Sequence, residues 1–339
     1  MARKASRTSI GSQGFTIVEL LIVVVVIAIL AAITIVAYNG VTQQAKNASR
    51  ATELAQWKKK AELHKVSNNI ECPDGYVFVY GNGALGTSDF CVMKYEAKND
   101  GNGNAVSTAS GAPWASITQT AAIAAATASG GHLITEAEWM TIAADVLSVK
   151  YNWSGGEVGS GYIYQGHVNN NPASALAASV DDSDVLNGIT GGTGTAVGTN
   201  SARVLYLTSG DAIWDFPGNV YEWTQQAVGA PTLTTSQIGV SGDSAFTWRE
   251  YTNPSLSLGN LPVGSRPSTL AALPGLTQVA PWNSPKGVGQ IYTHYAGGSA
   301  RVFYRGGTWY STTTAGVLAV ALDGTTGAFT GNIGFRVAR

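Results

Sequence analysis

Few residues in this chain have the types and spacing for chemistry. Asp215 and Glu222 are carboxylates seven positions apart, on either side of the turn Pro217-Gly218-Asn219. Calcium takes several oxygens, and a turn supplies carbonyls beside carboxylates, so the pair suits a calcium ion. The alternative is that Asp215 is a turn residue and Glu222 pairs with a core arginine. Cys72 and Cys91, the only two cysteines, could form a bridge or a metal pair, with no histidine or third cysteine nearby in sequence. Gly81-Asn82-Gly83-Ala84-Leu85-Gly86 has the G-x-G-x-x-G spacing of a dinucleotide loop. The following residues, TSDFCVMKYEA, read as strand. Without a helix N-terminus no dipole faces a pyrophosphate, so a Gly-rich hairpin is the simpler reading. His64, His132, His167 and His294 are scattered without zinc-site spacing and read as surface or hydrogen-bonded residues. Neither a Walker loop nor G-x-S-x-G is present. The last candidate is Glu19, the single charge in an otherwise apolar run.

That run, Phe15 to Val36, has 22 residues, enough to cross a bilayer as a helix. It is too long for a signal-peptide core, and no small-residue cleavage site follows it. Arg3, Lys4 and Arg7 precede it, which keeps the first residues cytoplasmic and sends the rest outside. An acid in hydrocarbon is costly and implies a dedicated partner. The residues after Val36 are less apolar but keep loose helical spacing at Ala51, Leu54, Ala55, Ala61 and Leu63, so one helix over 15–67 is predicted, stopping near Asn68-Asn69.

The run and the residues before it resemble the N-terminus of type IV prepilins. The resemblance implies a leader over 1–14, cleavage by a prepilin peptidase between Gly14 and Phe15, and methylation of the new Phe15 amine. It implies a precursor in the cytoplasmic (inner) membrane over 15–36, then an extracellular cell-surface filament. Glu19 then serves assembly, its carboxylate pairing with the Phe15 amine of a neighbouring pilin subunit, because opposite charges are tolerated in an apolar interior only when they meet. In that compartment thiols oxidise, which favours a Cys72–Cys91 disulfide.

About 270 residues remain after the helix, enough for one large domain or two small ones. Only 12% of the 339 residues are charged, Gly numbers 41, and the 9 Trp and 14 Tyr argue against disorder. A net charge of −1 leaves no footprint for nucleic acid. The one basic cluster, Lys58-Lys59-Lys60, reads as a solvated helix face. Strands are predicted at 76–80 and 90–97, a small helix near 116–128, and an amphipathic helix from Trp139 to Val149 behind a Thr135/Glu138 capping box. Short strands and long Gly/Asn/Thr loops follow.

Three segments stand in order: GGHLITEAEWMTIAADV at 130–146, WDFPGNVYEWT at 214–224, and RGGTWYS…NIGFRVAR at 305–339. Together they resemble the formylglycine-generating enzyme (sulfatase-modifying factor) family, a variant of the C-type lectin fold, over nearly all of 71–339. The resemblance implies an α+β protein: a long pilin-like transmembrane helix followed by a lectin-like domain of short strands and long loops. It implies calcium at the middle segment, held by the Asp215 and Glu222 side chains with the Gly218 and Val220 carbonyls. Catalytic members carry a redox-active cysteine pair just after the RGG-x-W strand. Here that stretch is Tyr310-Ser311-Thr312-Thr313-Thr314, and hydroxyls cannot replace a thiolate nucleophile and ligand. Oxidase activity is therefore not expected, nor any redox cofactor or enzyme function.

The end of the chain alternates framework residues with small, hydroxyl or aromatic ones. Tyr304, Tyr310, Ser311, Thr314, Ala321, Asp323, Gly324, Ala328, Phe329 and Gly331 lie between such framework positions. This interleaving resembles the variable region of lectin-fold proteins diversified by retroelements, and implies a ligand-binding region over 304–332 for a cell-surface protein or glycan, helped by Trp282 or Tyr295. Tyr, Ser and Gly suit recognition because they add contact or adaptability at low entropic cost. The expected function is non-catalytic recognition or adhesion on a filament. The alternatives are a structural pilin or pseudopilin, and an enzyme of altered chemistry on the same scaffold.

Overall fold

The structure, a computed structural model, describes residues 16–190, 201–226, 233–234, 238–258, 261, 266, 283–293, 300–325, 327 and 331–339. Gly14, Phe15, Trp282, His294, Tyr295, Ala328 and Phe329 lie outside these residues. The chain forms two compact units, one ending at Glu53 and the other spanning Leu54–Arg339.

One helix, α1 (Ile17–Asn68), runs through both units. Its apolar span Ile17–Ile35 is long and apolar enough to cross a membrane, and all of it is exposed in the isolated chain. Asn69 ends the helix where the sequence predicts. It adopts a left-handed φ of 54°, and the Ile70 N–H reaches the Lys65 carbonyl at 2.9 Å. This is the Schellman arrangement, which satisfies carbonyls left open at a helix end.

The last turns of α1 belong to the globular unit. Ala61 is buried, and Leu54 and Trp57 pack on a cluster of Tyr95, Val149, Val204, Tyr206, Ala212 and Trp214. Gly210 permits this close approach: a Cβ there would meet the Leu54 carbonyl oxygen at 2.3 Å. Lys58 is not simply solvated as predicted, since its ammonium pairs with Asp211 at 2.9 Å. His64 holds Asp89 at 2.6 Å.

After α1 the chain forms β1 (Tyr76–Val79), β2 (Phe90–Met93), α2 (Gln119–Ala128), β3 (His132–Leu133) and α3 (Glu136–Ser148). β4 (Val204–Tyr206), β5 (Ala212–Trp214), β6 (Tyr221–Thr224), β7 (Thr247–Arg249) and β8 (Ile291–Thr293) follow. The chain ends with β9 (Ala300–Gly306), β10 (Gly316–Gly324), β11 (Ile333–Phe335) and β12 (Val337–Ala338). β1 and β2 pair antiparallel, Tyr76 opposite Met93, so the G-x-G-x-x-G run is the expected hairpin loop. The Cys72–Cys91 disulfide ties the end of the helix stem to β2. Closing a loop of that length stabilises by about 3 kcal/mol in the chain-entropy model.

α3 begins with the predicted capping box: the Thr135 hydroxyl accepts from the Glu138 N–H at 3.2 Å, and the Glu138 carboxylate accepts from the Thr135 N–H at 2.9 Å. Trp139 stacks on Phe216 with ring centroids 4.1 Å apart. The smaller sheet has the order β1-β2-β12-β3, so the C-terminus closes against the first hairpin. The larger sheet runs β7-β8-β10-β9-β6-β11, with Leu233–Thr234 added along β9. This strand-rich unit, with α2 and α3 packed on it, is the α+β, C-type-lectin-like architecture of the sulfatase-modifying type that the three segments implied.

Three arginines without solvent exposure lock this unit. Arg203 pairs with Asp215 at 2.6 Å, Arg305 with Glu136 at 2.5 Å and Arg336 with Glu222 at 2.8 Å. The last two join segments distant in sequence, and each of the three guanidiniums also donates to backbone carbonyls.

Candidate functional site

Register in the larger sheet produces the site. The pairings Trp248–Tyr292, Tyr292–Ala321, Tyr304–Ala321, Tyr304–Trp223 and Phe335–Trp223 place six residues in one cross-strand row. Opposed residues on neighbouring strands share a face. Aromatic rings occupy five of these positions, and Ala321 separates Tyr292 from Tyr304.

The row changes character along its length. Trp223 and Phe335 are buried in a core shared with Ile117, Ala122 and Ala125 of the α2 region. The Trp223 indole N–H donates to the Ile117 carbonyl at 2.8 Å. Tyr304, Tyr292 and Trp248 are only partly buried. Trp248 and Tyr292 have centroids 4.9 Å apart, and Phe246 lies 5.5 Å from Tyr292. The face is therefore covered at its β6–β11 end and open toward β7.

Hydroxyls fix the rings between these ends. The Tyr304 hydroxyl donates to the Asp323 carboxylate. Tyr221 packs edge-on against Tyr304 at 4.8 Å and accepts from the Ser311 hydroxyl at 3.1 Å. Burial pushes the Tyr221 phenol up to about 12. Burial first, and then the Asp323 charge, holds Tyr304 far above the usual phenol range. Both phenols stay neutral at physiological pH, Tyr304 as a donor to Asp323 and Tyr221 as an acceptor from Ser311. Tyr310 is 45% exposed and accepts from the Asn332 amide at 3.0 Å. Its loop is held from below, as the Trp309 carbonyl accepts from Asn170 N–H at 2.7 Å and the Thr312 N–H donates to the Val168 carbonyl at 3.1 Å. The result is a rigid array of aromatic rings, hydroxyls and one carboxylate.

The proposed ligand residues divide on this geometry. Tyr304 and Asp323 come together, Tyr310 lies in the loop that Ser311 ties to Tyr221, Thr314 is partly buried nearby in chain, and Gly331 is exposed. Ala321, Gly324 and Ser311 are corrected as contacts. Ala321 has no solvent exposure and acts as a spacer in the row. A Cβ on Gly324 would meet the Val302 carbonyl oxygen at 2.8 Å. Ser311 is buried, with its hydroxyl accepting from the Thr308 N–H at 3.0 Å, so it braces the loop. Trp248, Tyr292 and Phe246 escaped the sequence reading. The alternation of Phe246 and Trp248 around Thr247 could have marked a half-buried strand, whereas nothing local marks Tyr292 or the shared face.

The calcium expectation does not fit its residues. Both Asp215 oxygens accept from Arg203, at 2.8 Å from Nε and 2.6 Å from Nη2. Both Glu222 oxygens accept from the Arg336 Nε, at 2.8 and 3.1 Å. A divalent cation at either carboxylate would displace or oppose a buried guanidinium. The core-pairing alternative therefore describes Glu222. The turn is instead organised by hydrogen bonds. Glu96 accepts from the Asn219 amide at 2.6 Å and from the Val220 N–H at 3.1 Å. Gly218 has a φ of 85°, and a Cβ there would meet the Gln165 carbonyl oxygen at 2.5 Å, which explains a glycine at that position. Among the described residues no group of three or more His, Cys, Asp or Glu could hold a metal.

Both cysteines are consumed by the disulfide, and Thr312–Thr314 form a short 3-10 turn after Tyr310. His132 is hydrogen-bonded to Glu138 at 2.8 Å and His167 to Asn219 at 3.4 Å, which is the hydrogen-bonded role expected of these histidines.

The model of the sulfatase-modifying factor enzyme 1-like domain matches residues 41–339, reaching back into α1. The model of the prokaryotic N-terminal methylation motif matches residues 11–35. No curated protein matches the chain. Among solved structures the chain is similar to the Major Tropism Determinant I1 and U1 variants, at 14% and 15% identity. In both cases the match covers 78% of this chain and 52% of the other, with a TM-score of 0.31. It thus spans about half the length of those proteins.

Proposed function

The chain belongs to the sulfatase-modifying factor enzyme 1-like domain family, and from that premise we propose that it is a non-catalytic recognition subunit on a type IV pilin-like filament. The N-terminal methylation motif joined to an apolar helix supports processing by a prepilin peptidase, membrane insertion and then surface display. The domain that follows is the cargo. The observation that carries the recognition role is the open half of the aromatic row, Trp248, Tyr292 and Tyr304, continued by Asp323 and Tyr310. Its rings have little conformational freedom left to lose, which favours binding. Hydroxyls replace thiols where catalytic relatives need cysteine, so the same loop serves contact rather than oxidation. The ligand is a cell-surface protein or glycan.

The test is binding of the purified full chain, in detergent micelles, to intact cells of the producing strain and its neighbours and to an immobilised glycan panel. Tyr310→Ala combined with Tyr292→Ala is expected to weaken binding about thirtyfold or more, the scale of an interface hot spot, with an unchanged melting temperature. Undiminished binding by that variant would sink the proposed face.

We also propose that the 304–332 segment is diversified by a retroelement, because its candidate contact residues alternate with buried spacers and bracing residues. A near-repeat of its coding sequence beside a reverse transcriptase gene is expected at the locus. A locus with neither would end this part of the proposal.

A further inference from the structure

Six non-glycine residues among those described have a left-handed backbone: Asn69, Ser116, Asn170, Asp215, Asn219 and Thr312. Such residues are uncommon and cost free energy, so they persist only where neighbours fix them, and they cluster at ligand clamps and active sites. Asn69 ends α1, and Asp215 lies early in the 214–224 segment. The other four surround the loop that carries Tyr310. The Asn219 carbonyl accepts from the Trp309 N–H at 3.0 Å and from the Thr308 hydroxyl at 3.1 Å. The Asn170 N–H donates to the Trp309 carbonyl at 2.7 Å, and Thr312 itself follows Tyr310 in the loop. Ser116 lies beside Gly331, where a Cβ would come within 3.6 Å of the Ser116 hydroxyl oxygen. The next residue, Asn332, donates its amide to the Tyr310 hydroxyl at 3.0 Å.

Thr312 is the exceptional member, with a φ of 51°. Asparagine tolerates this region because its short polar side chain can bond locally. A β-branched side chain crowds the backbone there, which makes threonine an outlier. The main chain around it is fixed from several sides. The Thr312 N–H donates to the Val168 carbonyl at 3.1 Å, and the Thr314 N–H to the Ser311 carbonyl at 3.2 Å. The Thr314 hydroxyl donates to that same carbonyl at 2.8 Å. None of these bonds uses the Thr312 side chain, which is exposed and makes no hydrogen bond among the described residues. The Asn170 side chain is also exposed, with no bond from its amide among those residues, on a backbone with a φ of 58°. Glycine would suit both backbones without the cost of a Cβ. The segments 168–170 and 309–312 are cross-bonded, so two side chains that do nothing for the fold stand beside the exposed Tyr310.

We propose that Asn170 and Thr312 are specificity-determining contacts of the recognition surface, and that the left-handed Thr312 is kept because its side chain meets the ligand. The inference rests on the recognition role proposed above and extends its surface to a loop outside 304–332. Both side chains are uncharged and can donate and accept a hydrogen bond.

Binding of the full chain in detergent micelles to intact cells and to the immobilised glycan panel tests these contacts, with a thermal melt of each variant. Thr312→Gly removes the side chain and its crowding together, so it is expected to melt no lower than wild type yet bind about tenfold more weakly. Asn170→Gly is expected to behave in the same way. Thr312→Ser keeps the hydroxyl with less crowding and should bind within about threefold of wild type. Wild-type affinity in both glycine variants would overturn the contacts and leave the recognition role standing. A Thr312→Gly chain that melts well below wild type would assign the threonine to the fold and overturn its contact, while Asn170→Gly still tests the neighbouring loop. A wild-type chain that binds neither cells nor glycans would overturn the recognition role and this inference with it.

Discussion

Arg336→Leu is expected to destabilise the globular unit by about 3–5 kcal/mol, the usual cost of stranding one partner of a buried ion pair. Arg336 and Glu222 have no solvent exposure. The guanidinium also donates to the carbonyls of Met93 at 3.1 Å, Lys94 at 3.0 Å and Asp215 at 3.0 Å, and to that of Trp214. One side chain therefore closes the first hairpin, the β5 end and the 214–224 turn onto the C-terminal strands. Leucine would leave a buried carboxylate and four carbonyls without these donors. Against a typical net stability of about 5–15 kcal/mol, that removes a large share of the margin and lowers the melting temperature by many degrees.

The sign of the companion change separates charge from packing. Replacing both partners, Arg336→Met with Glu222→Met, is expected to recover part of the loss, because no charge is then left unpaired. Thermal melts followed by near-ultraviolet circular dichroism provide the measurement. A single variant melting within a degree or two of wild type would show that the pair is not what holds the turn.

The same residues show what could be read before the structure. The long helix, its stop at Asn69, the capping box and the hairpin were legible because each rests on local chemistry: apolar length, a left-handed Asn, a Thr/Glu spacing, a strand on both sides of a Gly-rich loop. The three-segment order carried the fold. Glu222 was ambiguous for a physical reason. A carboxylate beside a turn suits a metal or an arginine equally well, and the arginine that claims it lies 114 positions away. Trp248 and Tyr292 were missed because they join the face only through the pairing of β7, β8 and β10, which no local pattern encodes. Ala321 and Gly324 were overread for the converse reason. Small residues between framework positions look variable in sequence, yet here they are spacers under aromatic rings.

Glu19→Gln is expected to abolish filament incorporation while leaving the helix intact. In the isolated chain the Glu19 carboxylate accepts from the Thr16 N–H at 2.8 Å and from the Thr16 hydroxyl at 2.7 Å. The Glu19 N–H in turn donates to the Thr16 hydroxyl oxygen at 3.2 Å, completing a capping box. Glutamine keeps an oxygen for the same bonds, so the cap, worth about 1 kcal/mol, survives. What it removes is the charge. In the proposed filament that charge meets the Phe15 amine of a neighbouring subunit inside an apolar stack. Leaving the ammonium unpaired there costs about 3–5 kcal/mol per contact, a loss of about a hundredfold or more in incorporation. The neutral side chain should not impede membrane insertion or cleavage after Gly14.

The central claim is that this helix is a mount, carrying a recognition domain out of the membrane on a filament. The most direct measurement is mass spectrometry of the chain in filaments sheared from the cell surface, compared with the membrane fraction. The account predicts that wild-type protein is found in the sheared fraction, begins at N-methylated Phe15 and retains the domain to Arg339. It predicts that the Glu19→Gln protein is cleaved but stays in the membrane. Equal amounts of the two proteins in sheared filaments, or a wild-type chain that keeps residues 1–14 and never leaves the membrane, would contradict it.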